Sequence, residues 1–132
     1  MSDKTIISTT NAPPPMPVFS QGVRKGGLLQ VSGQGAGNAA GEFVGEGDVR
    51  AQTRQVLENV RAILEAGGAT VDDVIMFRIY LTTRDHFAAM NEVYTEFVEE
   101  HIPSRALPAR TTVFVELPLP QMLVEIDALA AV

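Results

Sequence analysis

The chain has 132 residues, 45% hydrophobic and 20% charged, which is enough for one globular domain, leads us to expect no second one, and sets the chain apart from disordered compositions. A formal charge of −6, with ten Lys and Arg residues scattered along the chain, makes nucleic acid a poor default partner, although a local basic cleft can still take a small anion. With no cysteine, no apolar run of about 18 residues and no leader after Met1-Ser2-Asp3-Lys4, disulfides, thiolate chemistry and a membrane span are not expected, and a cytoplasmic protein is.

Taken in chain order, Lys4 to Ser8 reads as a short edge strand. Residues 11–17 then carry four prolines in seven positions, which fix φ, remove backbone donors and require an extended connector. Val23 to Lys25 and Leu28 to Ser32, parted by Gly26-Gly27, read as a hairpin. Six glycines between Gly33 and Gly47 predict a loop, with room for one short strand at Glu42 to Val44. Asp48 stands where an N-cap belongs, and Val56, Leu57, Val60, Ile63 and Leu64 form one apolar helical stripe that Gly67-Gly68 terminates.

From Val74 to Leu81 the period changes to two, with Ile75, Phe77, Ile79 and Leu81 on one face and Val74, Met76, Arg78 and Tyr80 on the other. This predicts a central strand covered on both faces. A second helix follows from about Arg84 to His101, its stripe being Phe87, Met90, Tyr94 and Phe97, and Pro103 stops it. Two strands close the chain, about Thr111 to Leu117 and Met122 to Ala130. In the last, Met122, Val124, Ile126 and Ala128 alternate with Leu123, Glu125, Asp127 and Leu129, so one face is apolar and the other carries acids.

Two helices against five or six strands can cover only one face of a single sheet. The other face, with Arg78, Glu125 and Asp127 beside Leu123 and Leu129, is too apolar to stay wet and too charged for a sealed core. Packing against further copies of the same sheet resolves this. Gly33-Gln34-Gly35-Ala36-Gly37 opens no helix and is followed by no Gly-Lys-Ser/Thr, so it is a poor phosphate loop. His86 and His101 sit about 20 Å apart along one helix and cannot share a metal. Ser32 has no histidine placed to activate it and is better read as a hydrogen-bond donor in a pocket.

Four stretches resemble the RidA/YjgF family of imine and enamine deaminases, which also carries the older labels L-PSP endoribonuclease and translation inhibitor. They are Asn11-Ala12-Pro13 through Phe19-Ser20-Gln21-Gly22, Val31-Ser32-Gly33-Gln34, Gln52-Thr53-Arg54-Gln55-Val56-Leu57-Glu58-Asn59, and Pro108-Ala109-Arg110-Thr111 with Val124-Glu125-Ile126-Asp127-Ala128-Leu129. Asn91-Glu92-Val93-Tyr94 with Phe97 fits between them, so the resemblance runs through nearly the whole chain, residues 1–132 forming a single RidA-like domain.

The resemblance implies a chorismate-mutase-like α+β sandwich: one mixed sheet with two helices on one face, assembled as a homotrimer with the sheets inside. It also implies a hydrolase acting on C=N bonds of reactive 2-imino and enamino acids, of the 2-iminopropanoate and 2-iminobutanoate type, as a guard against metabolite damage. No metal or organic cofactor is implied. Arg110 is the residue matching the family's carboxylate anchor, in a cleft between subunits, and its planar fork suits that role. Without the resemblance it reads as a surface arginine in an ordinary ion pair.

Glu125 matches a glutamate near the imine or its water, against a structural reading as a salt-bridge partner of Arg78 or Arg110. Asp127 is read as structural. Phe19, Ser32, Gly33 and Thr112 complete the implied substrate contacts. Phe19 stands where deaminating members commonly have tyrosine, Gly35-Ala36-Gly37 replaces an apolar residue and proline, and Thr112 replaces a frequent cysteine. The changed wall leaves open a specialised deaminase of an unsaturated amino acid, of the 2-aminomuconate or aminoacrylate type, or a trimer that binds small carboxylates without turnover. Ribonuclease activity fits poorly with an acidic chain that has no basic stripe.

Overall fold

The computed structural model describes residues 3–132. Six strands, β1 (Thr5–Ile7), β2 (Gly22–Lys25), β3 (Leu28–Gln34), β4 (Val74–Leu81), β5 (Ala109–Phe114) and β6 (Val124–Ala131), form one sheet in the order β1-β2-β3-β6-β4-β5. All pairs are antiparallel except β4 with β5, which makes the sheet mixed, as expected. Helices α1 (Val49–Ala66) and α2 (Phe87–His101) share one apolar core with a single face of this sheet.

The helix ends follow their local chemistry. The Asp48 carboxylate accepts the backbone N–H groups of Arg50 and Ala51 at 3.0 and 3.1 Å, satisfying two of the orphan donors of the first turn of α1. At the other end Gly68 takes φ of 86°, a left-handed value that suits glycine, and the Ala69 N–H donates to the Leu64 carbonyl at 2.9 Å. The predicted second helix begins with a 3-10 turn at Arg84–His86 and becomes α-helical only from Phe87.

The core face of β6 is Val124, Ile126, Ala128 and Ala130, all inaccessible, against Leu29 and Val31 of β3 and Phe77, Ile79 and Leu81 of β4. Val56, Leu57, Val60, Ile63 and Leu64 of α1 close over it, as their spacing requires. Phe77 meets Tyr94 of α2 edge to face at 5.6 Å between ring centroids, which fixes α2 over β4.

Four expectations need correction. In β4 the pairing with β6 slips between Val74 and Met76, so Val74 is buried and Ile75 is 49% exposed instead of joining Phe77 in the core. β4 is interior to the sheet, yet only its helix side is covered: Arg78 is exposed, and Met76 and Tyr80 are half-buried. The short strand at Glu42 to Val44 reduces to one bridge between Gly37 and Phe43. β5 starts at Ala109 and gives out at Phe114, because its partner β4 ends at Leu81; the last link is the Val115 N–H to the Leu81 carbonyl at 2.8 Å.

Candidate active site

A cavity of about 390 Å³ lies at the end of the sheet where β3 and β6 meet their loops. Phe19, Gly33 and Glu125 of the predicted site residues line it. Its walls come from three loops, and each loop is held by a buried side-chain amide. Gln21 on the segment before β2 donates to the carbonyls of Thr9 and Pro13 at 3.1 and 2.9 Å and accepts the Thr9 N–H at 2.7 Å, which ties down the proline connector. Asn59 of α1 donates to the carbonyls of Gly35 and Gly37 at 3.1 and 2.7 Å and so holds the glycine loop. Gln52 of α1 donates to the carbonyls of Gly45 and Gln121 at 3.0 and 3.1 Å and accepts the Leu123 N–H at 2.9 Å. These amides satisfy backbone groups that the irregular loops would otherwise leave unpaired.

Within β3 the register against β6 shifts between Val31 and Gln34, so two residues, Ser32 and Gly33, stand opposite Asp127. The bulge turns the Ser32 hydroxyl to the Ser20 carbonyl, 2.6 Å away, and brings Gly33 against Glu125. A Cβ at Gly33 would stand 2.6 Å from Oε2 of Glu125 and 2.9 Å from its Cδ, so glycine is what lets the carboxylate lie there.

Glu125 accepts no hydrogen bond and meets no cation among the described residues. The expected alternative of a bridge to Arg78 is not seen: Arg78 Nε donates to Asp127 at 2.7 Å, and the Tyr80 hydroxyl donates to the other Asp127 oxygen at 2.9 Å. Asp127 therefore belongs to a network on the open face of the sheet. Burial first, and the charge of Asp127 second, hold the Glu125 carboxyl above the ordinary carboxylate value.

Arg110 and Thr112 lie elsewhere. They alternate on the helix side of β5, opposite Phe77 and Ile79 of β4. Arg110 Nη1 donates to Oδ1 of Asn91 at 2.6 Å, and its guanidinium lies 4.7 Å from the Tyr94 ring centroid and 5.7 Å from that of Phe87. No carboxylate pairs with it among the described residues, in contrast to the ordinary ion pair that was the alternative. Each ring contributes about 0.5–1 kcal/mol of cation–π attraction at such partly exposed places. The Thr112 hydroxyl is buried with no hydrogen-bond partner among the described residues.

Phe87 is correspondingly 38% exposed and does not join the core stripe of α2 as expected. Phe87, Asn91 and Tyr94 recur at i, i+4 and i+7, a helical face with an amide in its middle. That interruption was the available sign that the face serves Arg110. Two clusters result: Phe19, Gly33 and Glu125 at the cavity, and Arg110 and Thr112 on the other side of the sheet. Among the described residues no group of three or more His, Asp or Glu side chains is gathered as metal ligands would be, and no helix is long and apolar enough to cross a membrane.

Six strands in this order under two helices define a RidA-type α+β sandwich. The chain belongs to the RidA/YjgF family, whose model, described as Endoribonuclease L-PSP, matches residues 9–132. It is 44% identical over 128 residues to a RutC family protein of Pyrococcus horikoshii, covering 96% of this chain and 97% of that one. It is 36% identical over 106 residues to a 2-iminobutanoate/2-iminopropanoate deaminase of Dermatophagoides farinae, covering 80% and 83%. Among solved structures it is similar to E. coli TdcF with bound serine, at 38% identity and a TM-score of 0.89, covering 97% of this chain and 98% of TdcF.

Proposed function

We propose that this protein is a hydrolytic deaminase of 2-imino and enamino acids, acting as a homotrimer whose pockets lie between subunits. The observation that carries this is Arg110. It is held by Asn91 and Tyr94, has no carboxylate partner among the described residues, and keeps most of its fork free for the carboxylate of a ligand. The relative named as an imine deaminase and the relative solved with serine, a small amino acid, support the same ligand class.

Arg110 lies on the helix side of the sheet and Glu125 on the other, so one ligand meets both only if they come from different copies. The open face carrying Arg78, Tyr80 and Asp127, together with the unpaired edge of β5, supplies surface for that assembly. The orphaned Thr112 hydroxyl supports it further, since a buried unsatisfied hydroxyl costs about 1–3 kcal/mol that a ligand or neighbouring copy would offset.

In this reading Arg110 takes the substrate carboxylate, groups at Thr112 and the Ser32-Gly33 bulge position the amino end, and Phe19 forms a wall. Glu125 removes a proton from water as its oxygen attacks the carbon of the protonated C=N bond. The proton passes to the nitrogen of the resulting carbinolamine, whose C–N bond then breaks. A 2-oxo acid and ammonia leave, and no external oxidant or reductant is needed.

The test is hydrolysis of 2-iminopropanoate and 2-iminobutanoate, generated in place by an amino acid oxidase with semicarbazide trapping. Wild type should accelerate the loss of imine, and Arg110→Ala and Glu125→Gln each should not. Co-expressing the two variants equally should return about a quarter of the wild-type rate, because over randomly assembled trimers roughly one site in four receives an intact residue from each side. No recovery from soluble mixed trimers would refute the shared site, and an inactive wild type would refute the deaminase.

A further inference from the structure

The cavity beside Glu125 is larger and more apolar than a small imino acid needs. Pro13, Met16, Phe19, Phe43, Leu119 and Met122 contribute apolar surface to it. Three of these, Met16, Phe19 and Leu119, are 64%, 48% and 50% exposed, large apolar side chains gathered around one opening. Of its three amide side chains, Gln21 is engaged on the proline connector and Gln34 on the Ser32 carbonyl at 3.2 Å, while that of Gln121 makes no hydrogen bond among the described residues. Among the described residues no lysine or arginine lines it, and its one ionisable side chain is Glu125.

A methyl side chain would leave most of these walls in water. A second carboxylate would meet no cation there and would face the charge of Glu125. A polar side chain would find few free partners. What such a space rewards is a neutral apolar group several carbons long, with the flexible Met122 thioether adapting to its shape.

We infer that this cavity is a side-chain subsite, and that the protein prefers 2-imino acids with branched or extended apolar side chains, such as 4-methyl-2-iminopentanoate, over the three-carbon imino acid and over dicarboxylic ones. The inference rests on the deaminase reading for its reaction, but its binding side is tested without turnover. Each methylene taken out of water improves binding about fourfold. Three added carbons are therefore worth about 60-fold if fully buried and roughly tenfold in a pocket open on one side.

The experiment measures calorimetric affinities of the stable 2-oxo acids 2-oxopropanoate, 4-methyl-2-oxopentanoate and 2-oxopentanedioate for the wild-type assembly and for Phe19→Ala. It also measures kcat/KM for the imines of alanine and leucine. Expected is a preference of roughly tenfold for the branched acid over the three-carbon acid, weaker binding of the diacid, and a fall of the preference to about threefold or less in Phe19→Ala. The proposal is overturned if the three-carbon acid or the diacid binds as tightly as the branched one, if Phe19→Ala leaves the preference unchanged, or if no oxo acid binds. Selective binding of the branched acid without turnover of any imine would sustain the subsite while refuting the deaminase. Turnover with equal kcat/KM for both imines would do the reverse.

Discussion

Replacing Gly33 by alanine tests whether the bulge in β3 exists to place a carboxylate. The new Cβ would lie 2.6 Å from Oε2 and 2.9 Å from Cδ of Glu125, the far end of a flexible side chain, so the carboxylate must retreat by about 0.8 Å to reach ordinary contact. Leaving its preferred torsions costs about 0.5–1.5 kcal/mol, and removing glycine's freedom from the unfolded chain returns about 0.4–1 kcal/mol. Net stability should therefore change by less than about 1 kcal/mol. Catalysis is less forgiving, since a displacement near 1 Å can cost about 100-fold, or about 2.7 kcal/mol of barrier. The assay pairs a denaturation midpoint with kcat for 2-iminobutanoate, next to Glu125→Gln as reference. A Gly33→Ala protein with wild-type stability and wild-type kcat would refute the claim that the Glu125 position matters.

Other outcomes follow from the same geometry. Arg110→Lys keeps the charge but loses the planar fork and the bond to Asn91, so KM for an imino acid should rise at least about tenfold with the denaturation midpoint nearly unmoved. Because burial and Asp127 raise the Glu125 carboxyl, the acid limb of kcat against pH should lie above the ordinary glutamate value, and Asp127→Asn should move it down. For stability the sign is opposite to that of a salt-bridged acid: the folded state holds this proton more tightly than the unfolded chain does. Stability from Glu125 is thus lost as pH rises from the ordinary to the raised value, and Glu125→Gln should remove that loss in a urea titration repeated across pH. Asp48→Ala strips the cap of α1 and should cost about 1 kcal/mol, read in the same denaturation experiment.

Much of the architecture was legible because local and global signals agree. The alternation through Val124, Ile126 and Ala128 and the stripe from Val56 to Leu64 could bury only one face each, and both did so. Ile75 was misplaced because a single extra residue in a strand leaves the composition untouched while reversing which side each neighbour faces. Phe87 fits the apolar period of α2, yet at the helix's first turn it looks past the core toward Arg110. The site was legible mainly as motifs. Spacing could not reveal that Glu125 and Arg110 project from opposite sides of one sheet, because that depends on how β5 is ordered beside β4. Nor could it show that Asn91 steadies the guanidinium, or that Gln21, Gln52 and Asn59 spend their amides on loop carbonyls.

Those three amides bear on how readily the protein can drift in what it accepts. The loops around the cavity are gripped through their backbone carbonyls and N–H groups, from residues standing on α1 and before β2, and a carbonyl is the same whatever side chain its residue carries. Met16, Phe19, Leu119 and Met122 can therefore be exchanged while the frame that holds them stays in register. A library randomising those four positions, with Gln21, Gln52 and Asn59 kept, would sample new pockets on an unaltered scaffold; randomising the amides instead would unmake the scaffold itself.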